Sequence, residues 1–194
     1  MSVVPRIFQH QRPKVLEVRL TMAIDVFSFY GGSVTSPTTT LCDRSDGGHL
    51  IVYPSRAVWE RGQLTPVELF QWSYLVAATG RAMIEVLPQL CGGCVNYWEA
   101  GNWSLNDAAN PSGPKVVENH RRVHHHIFGR SRDARDPDWR WGEAPRFPAY
   151  ADKKIWAQRF SPLNTQERDA VSARIYELLE GYYDLPDLFS PSSP

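Results

Sequence analysis

The chain has 194 residues, enough for one domain with extensions. Its composition, 42% hydrophobic and 22% charged, suits an ordinary globular core. With 21 basic and 21 acidic side chains the formal charge is zero, so nothing global draws it to nucleic acid or a membrane surface.

Residues through Lys14 are polar and proline-containing and read as an N-terminal arm, 1–14. No signal-peptide core or membrane-length apolar run is visible, so a cytoplasmic location is expected. Val15 to Leu20 alternates, and Met22 to Phe29 is rich in β-formers, predicting a strand or hairpin stopped at Gly31-Gly32. Thr38 to Cys42 is β-prone, Asp46-Gly47-Gly48 reads as a turn, and His49 to Tyr53 as a short buried strand stopped by Pro54.

Thr65-Pro66-Val67-Glu68 is a capping box with proline at the first helical position. Leu69, Trp72, Val76, Met83 and Leu87 then recur at mostly helical spacing, predicting a long amphipathic helix over about 66–87. Cys91-Gly92-Gly93-Cys94 is one C-x-x-C without a second pair at zinc-finger spacing. It is expected to be a helix-to-strand turn whose glycines permit positive φ and whose cysteines pack inside. With Cys42 the cysteines number three, which argues against a disulfide framework.

Cys94 to Glu99 reads as a strand, 104–118 as a loop, and about 120–128 as a strand. From Ser131 to Pro162 there is little periodicity, yet Trp139, Trp141, Trp156 and Phe160 call for burial. Asn164 to Glu167 caps a last helix with Val171, Ile175, Leu178 and Tyr182 as its core stripe, and the Ser/Pro tail, 186–194, is expected to be disordered. The order of elements implies an α+β fold over 15–185: an antiparallel sheet with a long helix and a C-terminal helix.

The chemistry concentrates in Arg122-Val123-His124-His125-His126-Ile127-Phe128-Gly129-Arg130. On a strand, Arg122, His124, His126 and Phe128 share one face, and Val123, His125 and Ile127 the other. Imidazole serves as nucleophile, general acid or base, or metal ligand near neutral pH. Arg121, Arg122, Arg130, Arg132 and Arg135 are opposed locally only by Asp133, a balance that suits a small phosphate ligand. His125, facing the core, is read as a hydrogen-bonded structural residue.

This run resembles the His-φ-His-φ-His-φ-φ motif of the histidine triad (HIT) family of nucleotide hydrolases and transferases. Gly48 to Pro54 looks like that family's strand ending in proline, Leu64 to Glu68 like the start of its following helix, and Gly101-Asn102-Trp103 like a block of some longer bacterial members. The chain departs from the pattern in having Arg122 at the first triad position, His125 between the second and third, Ala57 after Pro-Ser-Arg56, and no Gly-Gln element before the triad.

The resemblance implies a HIT-like fold. It also implies cleavage of a nucleoside phosphoanhydride, phosphoester or phosphoramidate through a nucleotidyl-histidine, with neither metal nor other cofactor. By the same resemblance His124 is the nucleophile and His126 its partner. Arg122, Asn102, His120, Lys115 and Arg130 are candidate phosphate contacts, and Asp43, Phe27 and Ile24 candidate nucleoside contacts. The expected partner is a nucleotide, adenosine or another purine, with a possible homodimer. Two other classes stay open at this point: a zinc protein using the histidines, and a nucleotide-binding module of weak catalysis.

Overall fold

A computed structural model describes residues 23–185. The proposed arm, the alternating segment Val15 to Leu20 and the tail lie outside the described residues. Strand β1 (Ala23–Phe29) turns at Tyr30-Gly31 into β2 (Gly32–Pro37). The turn needs glycine: Gly32 has φ 148°, and a Cβ there would meet the Tyr53 carbonyl oxygen at 2.2 Å. Strand β3 is His49–Pro54, helix α1 Pro66–Val86, and β4 Cys94–Ala100. A one-turn helix α2 (Val117–His120) precedes β5 (His124–Arg130); short α3 (Lys153–Ala157) and α4 (Thr165–Glu177) follow.

The five strands form one antiparallel sheet in the order β1-β2-β3-β5-β4. The α+β architecture expected from the element order is therefore the one observed. The capping box at Thr65 and Glu68 is closed as expected, and α1 lies across one sheet face. There Trp72, Leu75, Ala82 and Met83 pack on Leu50, Val52 and Ile127, joined by Val171 and Ile175 of α4. Burying this apolar surface is the main stabilising term of the fold. A second, smaller core on the opposite face joins Leu41, Cys42, Phe128 and Trp139, with Trp103, Phe147 and Trp156 against it. The segment after β5 thus covers only the far end of that face.

Several expectations are corrected. Thr38 to Cys42 is not a strand, because Gly32–Pro37 already completes the hairpin with β1 and pairs with β3; Thr40 Oγ1 instead donates to the Cys42 carbonyl. The histidine strand begins at His124, not 120, since residues 117–120 close a helical turn in which the Arg121 N–H donates to the Val117 carbonyl. Gly92 does adopt positive φ (68°), but Cys91 and Cys94 are exposed and only Cys42 is buried. Trp141 stays 41% exposed, beneath the Arg132 guanidinium, because Trp139 takes the interior place. Tyr182 is turned outward (65% exposed) as the last turn of the C-terminal helix widens over Leu178–Tyr182.

Candidate functional site

Antiparallel pairing of β3 with β5 sets Ile51 opposite His126 and His49 opposite Phe128. Three imidazoles consequently line up on the sheet face away from α1. Nε2 of His49 lies 2.7 Å from Nδ1 of His126, and Nε2 of His126 lies 3.1 Å from Nε2 of His124. Both ends of the row are tied to backbone. The Leu41 N–H reaches Nδ1 of His49 (3.3 Å), and Nδ1 of His124 reaches the Arg122 carbonyl (2.8 Å).

These anchors assign the protons. A backbone N–H only donates, so Nδ1 of His49 accepts and its Nε2 carries hydrogen. A carbonyl only accepts, so Nδ1 of His124 carries hydrogen and its Nε2 presents a lone pair. His126 fits between in one tautomer, Nδ1 accepting from His49 and Nε2–H donating to His124. Burial keeps the inner rings neutral: it pushes His49 down to about 3, helped by nearby His124, and holds His126 well below the ordinary histidine range, with His49 next in effect. His49 was not singled out in the sequence. The available signal was its place at the start of a strand predicted to lie in the same sheet as the triad.

His124 and His126 open into a cavity of about 400 Å³. Tyr53 of β3, Trp98 to Ala100 of β4, the turn Gly101 to Ser104, and His120 and Arg122 complete its wall, with Leu41 at the rear. The Tyr53 ring is 5.2 Å from that of His124, and Trp98 stacks on His126 at 5.4 Å. Gly101 (φ 135°) lets this turn close on β5, since a Cβ there would sit 2.8 Å from the Arg122 carbonyl oxygen. Arg122 Nη1 donates to the Glu118 and Arg121 carbonyls (3.0 and 2.6 Å).

Of the residues expected at the site, His124, His126, Arg122, Asn102 and His120 share this cavity. The others do not line it. Lys115 donates to the Gly113 carbonyl. Arg130 is buried at the opposite end of β5, where Nη2 donates to the carbonyls of Trp139, Arg140 and Glu143. Asp43 caps a short helical turn, accepting from the N–H groups of Ser45 and Ser161 and from the Ser45 hydroxyl. Its several donors hold its carboxyl below the ordinary range against the upward push of burial. Phe27 belongs to the core on the helix side of the sheet, and Ile24 of β1 pairs with Ser36 of β2.

His125 faces the helix side, 4.8 Å from the Trp72 ring, with Nε2 2.8 Å from Arg61 and 3.5 Å from Glu99. Burial and then the Arg61 charge lower its pKa, while Glu99 opposes them. Among the described residues, no three or more His, Cys, Asp or Glu side chains converge as a metal site. Nor is any helix there long and apolar enough to cross a membrane.

No protein-family model matches the sequence. No curated protein is detectably similar to it. Among solved structures, a histidine triad (HIT) protein from Sinorhizobium meliloti 1021 is 19% identical, with a TM-score of 0.48 over 84% of this chain and 95% of its own. A histidine triad protein from Bradyrhizobium japonicum is 16% identical, with a TM-score of 0.43 over 85% of this chain and 97% of its own. An uncharacterized protein is 17% identical, with a TM-score of 0.47 over 93% of this chain and 90% of its own.

Proposed function

We propose that this protein is a nucleotide hydrolase or nucleotidyl transferase that works through a nucleotidyl-histidine on His124. The motif resemblance of residues 122–130 suggests the class. The observation that carries it is the row Leu41 N–H, His49, His126, His124, Arg122 C=O, which leaves His124 Nε2 unprotonated in the cavity beside a donor.

In this reading Nε2 of His124 attacks phosphorus. A phosphorus–nitrogen bond forms, and the bond to the leaving group breaks with its electron pair going to that group. The leaving group takes a proton from water, while neutral His126 keeps its Nε2–H as a hydrogen-bond donor beside the reacting phosphorus. While the ring carries positive charge, its Nδ1–H remains on the Arg122 carbonyl, which holds the imidazole in line. Water then attacks phosphorus and gives a proton up to solvent; the phosphorus–nitrogen bond breaks with its electron pair returning to Nε2, and the imidazole regains its starting tautomer. Arg122 and Asn102 face the same cavity and supply donors for phosphoryl oxygens, whereas His120 spends its Nδ1–H on the Val116 carbonyl.

One observation favours a weaker catalyst: Arg122 already spends Nη1 on two carbonyls. Incubation with a fluorogenic adenylyl ester, followed by mass analysis of the quenched protein, tests the reading. The expected result is turnover with a nucleotidyl adduct on His124. Turnover without any adduct removes the covalent mechanism; binding without turnover leaves the module.

A further inference from the structure

We propose that the tryptophan wall of the cavity, Trp98 and Trp103, is the subsite for the planar base of the nucleotide. This rests on the reading of the site as nucleotide-binding. The expected base contacts on β1 do not reach the cavity: Phe27 is buried in the core on the helix side of the sheet and Ile24 lies on β1, at the other end of the described sheet from β4. The β4 side offers aromatic surface instead.

Trp98 is held opposite His126 by strand register and keeps 38% of its surface open. It stacks on His126 at 5.4 Å and leans on Phe147 at 4.7 Å, which fixes the ring. Trp103 follows the Gly101 turn. Tyr150 meets it edge-on at 6.3 Å, and the Lys153 ammonium sits 5.6 Å from its ring. Both indoles are therefore set by packing before any ligand arrives, and both line the cavity that holds His124. Ala100 pairs directly with His124, so the wall lies one strand from the proposed nucleophile. Stacking on such rings is tolerant of base identity, because every base has a π-face. The subsite accordingly selects for a nucleobase without choosing strongly among purines.

Equilibrium binding to the full chain separates the possibilities, with adenosine 5′-monophosphate, ribose 5-phosphate and inorganic phosphate as probes. The expected order has the nucleotide at least ten-fold tighter than ribose 5-phosphate. Trp103→Leu should weaken the nucleotide by about ten- to a hundred-fold and leave ribose 5-phosphate unchanged. Trp103→Phe should recover most of the loss, which guards against a folding defect in the leucine variant. Equal affinity of wild type for the nucleotide and ribose 5-phosphate overturns the base subsite while sparing the phosphate site. Unchanged nucleotide affinity in Trp103→Leu overturns it as well. If phosphate alone binds, and neither organic probe does, the nucleotide reading falls together with the subsite.

Discussion

His49 Nε2 stands 2.7 Å from His126 Nδ1, although 77 residues separate them in sequence. His49 itself does not line the cavity, so it acts through His126 as a positioning residue. His49→Phe keeps an aromatic ring against Phe128 but removes both hydrogen bonds. The orphaned Leu41 N–H and His126 Nδ1 should lower stability by about 1–3 kcal/mol. With its tautomer no longer fixed, His126 should lower kcat about ten- to a hundred-fold and leave KM nearly unchanged. A KM effect without a kcat effect overturns this assignment.

The same burial predicts a pH dependence of stability. His49 and His126 have folded pKa values below the ordinary histidine value, so between the two the unfolded chain binds protons that the folded chain refuses. Stability from these groups is full above about pH 6.5 and falls as pH drops from there toward the folded values. Each contributes a slope of up to about 1.4 kcal/mol per pH unit. Urea unfolding at pH 7 and pH 5 measures it. The wild-type loss between the two should be clearly larger than that of His49→Phe, and equal losses refute the linkage.

His124→Asn tests the nucleophile. Asparagine retains a side-chain donor for the Arg122 carbonyl yet offers no lone pair equivalent to the imidazole Nε2. Turnover of the adenylyl ester should fall by several orders of magnitude, the adduct should vanish, and the unfolding midpoint should move little. A variant retaining near-native turnover places the chemistry elsewhere.

Much of this arrangement was legible in the sequence because it is local. Thr65 and Glu68 cap α1 within four residues, and period-two alternation correctly sends His124 and His126 to one face and His125 to the other. What escaped depends on pairing between distant strands. His49 becomes part of the site only when β3 is set beside β5. Arg130 resembles a phosphate ligand in the motif and shares the face of His124. Six residues of strand carry it about 20 Å along β5, however, into a cage of carbonyls. Asp43 is absorbed by a cap that a short helical turn creates. Trp98 and Trp103 gave no periodic signal, because one is on an edge strand and the other in an irregular turn.

Arg122 provides the sharpest test of how this chain departs from the triad pattern it resembles. Its backbone carbonyl holds His124 Nδ1, a role any residue could fill; its side chain is what differs. The guanidinium lines the cavity and rests on the Glu118 and Arg121 carbonyls through one nitrogen, Nη1. A guanidinium has five N–H donors in a planar fork, so a phosphoryl group can be gripped by the remainder. Such a charge-assisted contact is worth roughly 1.5–3 kcal/mol. Arg122→Ala should therefore reduce kcat/KM by about ten- to a hundred-fold. Arg122→Lys should restore only part, since an ammonium cannot reproduce the bidentate grip. Arg122→His recreates the triad pattern. A slower histidine variant supports the clamp, whereas one faster than wild type marks the arginine as an impairment and favours the weak-catalyst reading. If Arg122→Ala matches wild type in both rate and nucleotide affinity, the guanidinium only braces the α2 turn and the clamp is refuted.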